Sequence, residues 1–446
     1  MILDLIIGFG LFLGGVVVCM VKGMSLAWAL LLGFICFFLV GLHRGFCAAE
    51  LTRMAMGGGK TAFVVLRILV LIGVLTALWR AGGTIAYFVA MGLRLITPNS
   101  FVLIAFLLPA VLCLAFGSSF GVSGTAGVIL MTIARSGGAN TVVAAGAALS
   151  GAYFGERLSP ASSAAALVAA VSNAEQRAFQ RRMWKDTVVP LVLTLGIYTV
   201  MSRIYPIQRV DPEILRALEE GFTLNWLTVL PAIALLVLPW FKFKAIHAIA
   251  ISCVLAAVSA VAAQGMGVAE VLRVCVLGYE EQHPMLASIM SGGGLISMAN
   301  SVCIVFLSCS YAGIFNGTGI LDPLKKKAGV LAEKIGRVPA QCVVGLCTGG
   351  LFCNQTVAIV MNRQIMERHY ADHGLSEQDM ARDVGNTVLN LVGMIPWAIA
   401  CSVPLANMGG DFRSIPFGVF LYLVPVCAWL GQLAEKRKKD SCNPGV

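Results

Sequence analysis

The sequence predicts an all-α membrane protein that crosses the bilayer several times. Hydrophobic residues make up 58% of its 446 residues. Charged residues make up only 12%, about half the roughly 25% that is usual in soluble domains. The mean hydropathy is +0.87 over the whole chain, so many segments provide the run of about 20 apolar residues that one crossing needs. Because these runs are long and do not alternate with polar residues, they predict helices and not a barrel.

Two kinds of apolar segment follow one another along the chain. Uninterrupted runs are typical of ordinary spans, and they cover residues 2–21, 26–42, 62–78, 188–204, 224–238, 245–263, 286–307 and 417–433. Residues 1–22 are interpreted as a first transmembrane helix, because they lack the basic leader and cleavage site of a signal peptide. Glycine and small polar residues interrupt the apolar sequence at 80–84, 117–160 and 311–404. Broken helices are tolerated at membrane depth only beside protein or a water-filled cavity, so these regions are expected to hold the working site.

Basic residues outnumber acidic ones by 32 to 22 and lie mainly in short loops. This pattern indicates membrane topology and gives no reason to expect a nucleic-acid partner. The most basic segments are assigned to the cytoplasm, and they are 44–60, 175–186, 242–244, 323–337, 363–383 and the tail 435–446. The loops 268–284 and 407–416 are poor in basic residues and are assigned to the outside.

An inverted repeat is expected, with an offset of roughly 230 residues between matching segments. The matches pair 79–84 with 310–313, 117–127 with 348–356 and 156–170 with 383–400. The loop 44–60 is assigned inside and its counterpart 270–284 outside, so the halves have opposite orientations. The predicted division is a first repeat at 23–205, a linker with a connecting transmembrane helix at 206–243, and a second repeat at 244–434. This architecture is found in many secondary transporters.

Loop parity predicts two re-entrant hairpins. The loops 94–99 and 135–140 must both face outside, so 101–134 is expected to enter and leave on that side. A second hairpin at 338–361 is expected to enter from the cytoplasm and to be followed by a cytoplasmic surface helix at 364–382. Each hairpin precedes a transmembrane helix that is expected to be broken, at 155–160 and at 385–396.

Hairpin tips and broken helices expose backbone carbonyls and helix ends, which suit cations and anionic groups respectively. The residues expected to line a substrate site are Arg80, Ser123, Thr125, Asn354, Gln355, Thr356, Asn386 and Thr387, with Ser118, Ser119 and Thr348 beside them. The alternative for the small and hydroxyl residues is that they only let helices pack closely.

Few charged residues fall inside the apolar segments. Arg80 precedes Ala-Gly-Gly-Thr and is either a side chain that reaches the outer interface or a ligand for a carboxylate. Arg67 is interpreted as structural and His247 as interfacial. Glu156 and Asp383 are expected at equivalent positions near the starts of the two broken helices, where a proton or sodium carrier is useful. Two alternatives stay open: Glu156 pairs with Arg157, and Asp383 is the last charge of a loop.

The chain contains no phosphate-binding glycine-rich loop, zinc spacing or nucleophile elbow. No enzyme, cofactor or metal site is therefore expected. The expected partners are the lipid bilayer and a small solute or ion, and a homodimer is left open.

The string Gly-Ala-Tyr-Phe-Gly-Glu-Arg-Leu-Ser-Pro-Ala-Ser-Ser from Gly151 resembles the signature of the NhaC family of sodium/proton antiporters. The stretches from Trp79 and Gly117, and Ile395-Pro-Trp, look like other landmarks of that family. The resemblance implies a scaffold, a moving part with two re-entrant hairpins, and coupling to Na⁺ or H⁺. Members exchange sodium for protons or couple such ions to small organic solutes.

The sequence also departs from that signature. The family typically has Ser-Asp-Thr-Thr after Ser-Pro, whereas this chain has Ser162, Ser163 and two alanines. Ion coupling is therefore expected to depend on Glu156 and Asp383 with Ser159, Ser162 and Ser163. This departure and Arg80 favour an ion-coupled transporter of an amino acid or carboxylate in the inner membrane of a bacterium. A plain Na⁺/H⁺ antiporter, a channel and a non-transporting solute sensor stay open as alternatives.

Overall fold

The computed structural model describes residues 3–95, 97, 99–159, 162–207, 212–241, 243, 245–318 and 322–442. Within this part of the chain the regular structure is helical, apart from one isolated antiparallel bridge between Tyr279 and Gly292. The all-α prediction is therefore confirmed.

The helices divide the chain into many short and a few long elements. In order they are α1 (Leu3–Lys22), α2 (Leu26–His43), α3 (Ala48–Ala81), α4 (Thr84–Leu95), α5 (Phe101–Phe116), α6 (Ser119–Val122), α7 (Val128–Ser136), α8 (Thr141–Leu158), α9 (Ser163–Val171), α10 (Gln176–Ile204), α11 (Pro212–Gly221), α12 (Trp226–Val237), α13 (Ala245–Ala262), α14 (Val268–Leu277), α15 (Pro284–Met290), α16 (Ala299–Thr318), α17 (Asp322–Ile335), α18 (Arg337–Phe352), α19 (Gln355–Asp372), α20 (Glu377–Asn386), α21 (Val388–Leu391), α22 (Ile399–Asn407) and α23 (Val419–Cys442). A π-helix (Ser123–Gly127) joins α6 to α7, and 3₁₀ turns occupy Leu238–Phe241, Ile296–Met298, Val392–Met394 and Phe412–Phe417.

By length and composition, three helices in the described residues can each cross a bilayer: α2, α10 and the segment Ile296–Phe315. Two bent pairs qualify only when each is counted as one span. They are Leu69–Ala81 with Thr84–Met91, bent by 68°, and Glu377–Met394 with Ile399–Asn407, bent by 55°. Several of the expected spans are shorter apolar helices, among them Ile7–Lys22, Trp226–Leu235, Ile246–Ala262 and Val419–Ala434.

Three expectations about where the helices are continuous or interrupted are wrong. The run 286–307 is interrupted after α15, because Gly292, Gly293 and Gly294 all have positive φ and form a loop. This loop is held to α3 by a hydrogen bond of 2.8 Å from the Gly294 N–H to the Gly73 carbonyl. The segment 310–313 is not a break, because α16 runs through it. The segment 364–382 is not a single helix, because α19 ends at Asp372 and α20 begins at Glu377.

The helices pack in two groups. The first group contains α1–α3, α12–α14 and α16, and the second contains α5, α8, α10, α18–α21 and α23. The π-helix and α22 lie between the groups, where they contact α3 and α16 respectively, and α16 also contacts α18 directly. A Cβ on Gly124 of the π-helix would lie 2.4 Å from Ile72 Cγ2, which shows how closely α3 approaches that region.

Helix bounds in the two parts of the chain match in one constant register, the repeat register, in which Phe101 aligns with Arg337. This register relates α5 to α18, residues 119–136 to α19, α8 to residues 377–394, and α9 to α22. It also relates the first residue of α10 to that of the 3₁₀ turn Phe412–Phe417. The repeat register differs by several positions from the offset expected from the sequence, and it needs no insertion or deletion from the start of α5 to the start of α10.

The backbone repeats in the same register. Gly117 follows α5 at φ 67° and ψ 20°, and Cys353 follows α18 at φ 53° and ψ 14°. The next residues, Ser118 and Asn354, have φ and ψ of −140° and 112° and of −135° and 121°. Cys353 thus adopts a left-handed conformation, which glycine adopts more easily. The matching residue in the first part of the chain is a glycine, Gly117. The turn is a property of the fold and does not depend on one glycine.

Candidate functional site

The first helix break lies between α5 and α6. The Ser118 hydroxyl accepts a hydrogen bond from the Gly121 N–H at 3.3 Å. Ser123 is buried, donates to the Phe120 carbonyl at 3.0 Å and accepts from Asn407 Nδ2 at 3.2 Å. Thr125 is also buried and donates to the Gly121 carbonyl at 2.8 Å. Both hydroxyls therefore lie in the π-helix that follows this break, and Ser123 additionally contacts α22.

The second break lies between α18 and α19. Asn354 Oδ1 accepts hydrogen bonds from the N–H groups of Thr356 and Val357, at 2.9 and 3.3 Å, and thereby caps α19. Asn354 Nδ2 lies 3.3 Å from Cys309 Sγ on α16, and Gln355 Nε2 donates to the Leu389 carbonyl at 2.9 Å. The Thr356 side chain is exposed. Asn354 and Gln355 therefore belong to the break, whereas Thr356 lies on the surface of this conformation.

Helix α22 links the two breaks. The Ile399 N–H donates to the Cys353 carbonyl at 2.8 Å at one end of α22, and Asn407 contacts Ser123 at the other. The Tyr153 hydroxyl on α8 donates to the Ala400 carbonyl at 2.7 Å. Because α22 has nine residues, the two breaks lie about 13 Å apart along it.

Glu156 is buried beside the first break, and only 5% of its surface is exposed. Its carboxylate lies against the hydroxyl and the backbone N–H of Ser119, and its Oε2 atom has no hydrogen-bond partner among the described residues. An unpartnered carboxylate in an apolar interior is costly unless it holds a proton or a cation. Glu156 therefore has the surroundings of an ion-carrying group.

Arg157, the next residue, points elsewhere. It is fully buried and donates to the Gly385 carbonyl at 3.2 Å, and to Thr187 and Asn386 at shorter distances. Asn386 Nδ2 in turn donates to Asp186 at 2.8 Å. Arg157 thus ties α8 to α10 and α20, and the structure shows no Glu156–Arg157 pair. Asn386, expected to line the substrate site, belongs to this network.

Asp383 differs from Glu156 because its charge is neutralised. The Arg337 Nε atom lies 2.7 Å from Asp383 Oδ2, and the Tyr370 hydroxyl donates to the same oxygen at 2.6 Å. The helix bounds do not match Asp383 with Glu156: in the repeat register Glu156 aligns with Val392, and Asp383 aligns with Ala147. Asp383 therefore has the surroundings of a structural ion pair.

Thr387 and the three serines occupy the two broken helices. Thr387 separates α20 from α21 at φ −118° and ψ −81°, and its hydroxyl donates to the Asp383 carbonyl at 2.6 Å. The Ser159 carbonyl accepts from Gln180 Nε2 at 3.1 Å, and the Ser162 hydroxyl caps α9 through the Ala165 N–H at 3.2 Å. The side chain of Ser163 is exposed. Residues 160 and 161 of this break lie outside the described residues.

Arg80 is a buried cation without a described carboxylate partner. Only 7% of its surface is exposed, its Nη1 donates to the Thr76 carbonyl at 3.1 Å, and its Nε has no hydrogen-bond partner in the part of the chain that the structure describes. Arg135 acts on it electrostatically and, as a cation, cannot be its counterion. Arg80 is therefore a buried guanidinium whose donors are only partly satisfied by the described residues.

Several residues of these networks were missed by the sequence analysis, among them Asp186, Arg337, Tyr370 and Asn407. Hydropathy placed them in or beside polar segments between the apolar runs. A charged residue at such an end looks the same in sequence whether it faces water or a buried partner. No sequence signal therefore identified them.

A buried carboxylate and a buried guanidinium, neither with a counterion among the described residues and both near helix breaks in an apolar helical protein, are typical of a membrane transporter. The comparison with protein families agrees with this class. The model described as the Na⁺/H⁺ antiporter family matches residues 1–205 and 176–430. The chain belongs to the Na⁺/H⁺ antiporter (NhaC) family, as its motifs predicted, and it is a multi-pass membrane protein and not an enzyme.

The chain is similar to antiporters that are named for different substrates. It is 27% identical over 369 residues to the malate-2H⁺/Na⁺-lactate antiporter of Bacillus subtilis (strain 168), covering 81% of this chain and 78% of that protein. It is 25% identical to the Na⁺/H⁺ antiporter NhaC of Alkalihalophilus pseudofirmus, covering 84% and 83%. It is 27% identical to the arginine/ornithine antiporter ArcD of Halobacterium salinarum, covering 81% and 74%.

Proposed function

We propose that the protein is an antiporter of a bacterial inner membrane that exchanges a small carboxylate-bearing solute, a carboxylic acid or an amino acid, for Na⁺ or H⁺. The observation that carries this proposal is the buried Arg80 guanidinium without a described counterion. Relatives named as antiporters of malate with lactate and of arginine with ornithine support an organic substrate.

The chemistry of Arg80 supports a carboxylate. A guanidinium presents parallel N–H groups that match the two oxygens of a carboxylate, and this pair is among the stronger hydrogen-bonded contacts in proteins. An unpaired charge inside a protein costs several kcal/mol, and a bound anion offsets that cost. The substrate carboxylate would therefore supply the counterion that the described residues do not.

Glu156 is the proposed coupling residue. Its unpartnered oxygen can take a proton or ligate Na⁺, with the Ser119 hydroxyl as a second oxygen. Ser159, Ser162 and the exposed Ser163 supply further oxygens at the next break. Asp383 contributes less to coupling in this proposal, because Arg337 already neutralises it.

Alternating access would come from two oppositely oriented copies of one unit. The constant repeat register supports two copies, and the distribution of basic loops supports their opposite orientation. The breaks would form the tips of re-entrant hairpins. Arg80 lies on α3 in the first helix group and Glu156 on α8 in the second. Movement of one group against the other would therefore change access to a substrate held between them.

Exchange by the reconstituted protein tests the proposal. Proteoliposomes loaded with unlabelled carboxylates or amino acids should take up the labelled solute under a Na⁺ or pH gradient. The Arg80→Ala variant should lose this uptake, whereas Arg67→Ala should retain it, because Arg67 is exposed on the same helix. Undiminished uptake by Arg80→Ala would remove Arg80 from the site. Flux without accumulation would indicate a channel, and binding without flux a sensor.

Plain Na⁺/H⁺ antiport is a second candidate, favoured by the relatives named NhaC and by the unpartnered Glu156. It predicts Na⁺-driven pH changes inside liposomes that contain no organic solute. Solute exchange, in contrast, predicts no such change until a carboxylate is added. The same preparation therefore separates the two candidates.

A further inference from the structure

A cavity outside the site described above opens at the beginning of α10. Its volume is about 680 Å³, within the roughly 300–1,000 Å³ typical of ligand cavities. It is lined by Leu158, Glu175, Gln176, Arg177, Gln180, Arg181 and Trp184. Gln180 connects the cavity to the α8–α9 break, because its Nε2 donates to the Ser159 carbonyl at 3.1 Å. The cavity therefore adjoins a break without being part of the Arg80 or Glu156 sites.

The two arginines of the cavity are exposed and carry unneutralised charge. Neither Arg177 nor Arg181 makes an ion pair or a side-chain hydrogen bond with another residue that the structure describes. The opposite face of α10 is different, because Arg182 pairs with Asp379 at 2.9 Å and Asp186 pairs with Arg382 at 2.7 Å. The charged side chains of α10 that face α20 are thus paired, whereas Arg177 and Arg181 are free to bind an outside anion.

The same helix face continues as an apolar surface. Arg177, Arg181, Trp184 and Val188 follow one another at spacings of three or four residues, and Val192 extends the row. Trp184 is 47% exposed, Val188 58% and Val192 63%. Exposed valines on a long apolar helix face lipid, and tryptophan is enriched where the bilayer core meets the headgroups. The cavity therefore lies at headgroup level, directly beside acyl chains.

The matching region of the second copy has lost these features. In the repeat register, Arg177 corresponds to Arg413, which hydrogen-bonds Asp411 at 2.9 Å. This bond lowers the pKa of the Asp411 carboxyl below its usual range. Arg181 and Trp184 correspond to Phe417 and the fully buried Phe420. Among the described residues, free basic groups at this position are thus found in the first copy, at the beginning of α10. The distribution of basic loops assigns this end of α10 to the cytoplasmic side.

We infer that this cavity binds the headgroup of an anionic phospholipid from the cytoplasmic leaflet. The phosphate lies between Arg177 and Arg181, the Trp184 ring packs at the level of the glycerol, and the acyl chains lie along Val188 and Val192. Basic pockets at the cytoplasmic side of membrane helices are suited to such headgroups. A headgroup bound here contacts Gln180 and so supports the end of α8.

Short-chain phosphatidylglycerol provides the test. The detergent-solubilised full-length protein is titrated with it, and with short-chain phosphatidylcholine and inorganic phosphate as separate ligands, while thermal stability is measured. Phosphatidylglycerol should stabilise the wild-type protein, and the other two ligands should not. The R177Q/R181Q variant should need an about 30-fold higher concentration for half the effect, which equals about 2 kcal/mol at 1.4 kcal/mol per tenfold change.

The control is R203Q, which removes an exposed arginine from the other end of the same helix. It should leave the phosphatidylglycerol titration unchanged. An unchanged titration for R177Q/R181Q would overturn the inference, and so would equal stabilisation by inorganic phosphate, which would indicate a site for a soluble anion. The W184A variant checks the apolar part of the site, and it should weaken phosphatidylglycerol binding without creating a response to phosphate.

Discussion

Arg80 and Arg157 are both buried arginines in helices, but the structure predicts opposite consequences of replacing them. Arg157 donates to Thr187, Asn386 and the Gly385 carbonyl, and it therefore holds three helices together. The Arg80 guanidinium makes a single described hydrogen bond, to a carbonyl of its own helix. Replacing Arg157 should mainly reduce stability, whereas replacing Arg80 should mainly abolish transport.

The magnitudes follow from these contacts. Arg157→Met loses three hydrogen bonds from a charged group, each worth about 1.5–3 kcal/mol, and leaves their buried acceptors unpaired, so it should lower the free energy of unfolding by at least about 3 kcal/mol. Arg80→Met loses one charged hydrogen bond, worth about 1.5–3 kcal/mol, but also removes an unneutralised buried charge, which costs several kcal/mol to bury. The two terms oppose each other, so its stability should be unchanged or higher. The two variants should differ by at least about 3 kcal/mol.

Both variants are measured by unfolding in detergent and by solute exchange in liposomes at equal protein content. Arg80→Met should unfold at the wild-type midpoint and show no exchange of a carboxylate solute. Arg157→Met should unfold earlier, and the folded fraction should retain exchange. If Arg80→Met is destabilised as much as Arg157→Met, then Arg80 has a hidden counterion and the anion-site argument is wrong.

Three further predictions concern coupling and packing. Glu156→Gln should abolish uptake driven by a Na⁺ or pH gradient while solute counterflow continues, and gradient-driven accumulation by this variant would exclude Glu156 as the coupling residue. Asp383→Asn should lower the free energy of unfolding by about 3–5 kcal/mol, yet the folded fraction should keep gradient-driven uptake. A variant that is stable but has lost gradient-driven uptake would show that Asp383 is a coupling residue and not a structural one. Gly151→Ala should destabilise the protein by about 1–3 kcal/mol, because its Cβ would lie 2.1 Å from the Phe106 carbonyl oxygen; Gly196→Ala, with open space around it, is the control and should unfold like the wild type.

Composition and motifs were sufficient for the fold class and the family, because both depend on averages or on short exact strings. The roles of individual glycines were not predictable in the same way. Gly117 ends a helix at positive φ, whereas Gly313 lies inside α16, where its Cβ would come within 2.3 Å of the Met54 carbonyl oxygen. In the sequence both glycines interrupt an apolar run. Only the packing of α16 on α3 shows that Gly313 serves close helix contact, whereas Gly117 ends a helix.

The two acidic candidates, Glu156 and Asp383, show a second property that could not be predicted from the sequence, namely which partners a buried carboxylate has. Glu156 and Asp383 were given the same role because each stands near a broken helix. Their partners differ, because Arg337 and Tyr370 neutralise Asp383 whereas one Glu156 oxygen has no described partner. Arg337 begins α18 and Asp383 lies in α20, so spacing rules for neighbouring residues could not pair them. The repeat offset was also mispredicted by several positions, since glycines recur along both copies and allow more than one alignment.

The central claim is that two copies of one unit, matched in the repeat register, cross the membrane in opposite directions. Thr141 and Glu377 are the first residues of matching helices and belong to the two copies. In a background without the fourteen native cysteines, the T141C and E377C variants can each be labelled with a membrane-impermeant maleimide on intact cells and on inside-out vesicles. T141C should react only on intact cells and E377C only on inverted vesicles. Labelling of both variants from the same side would mean that the copies are parallel, and the proposed mechanism of alternating access would then be wrong.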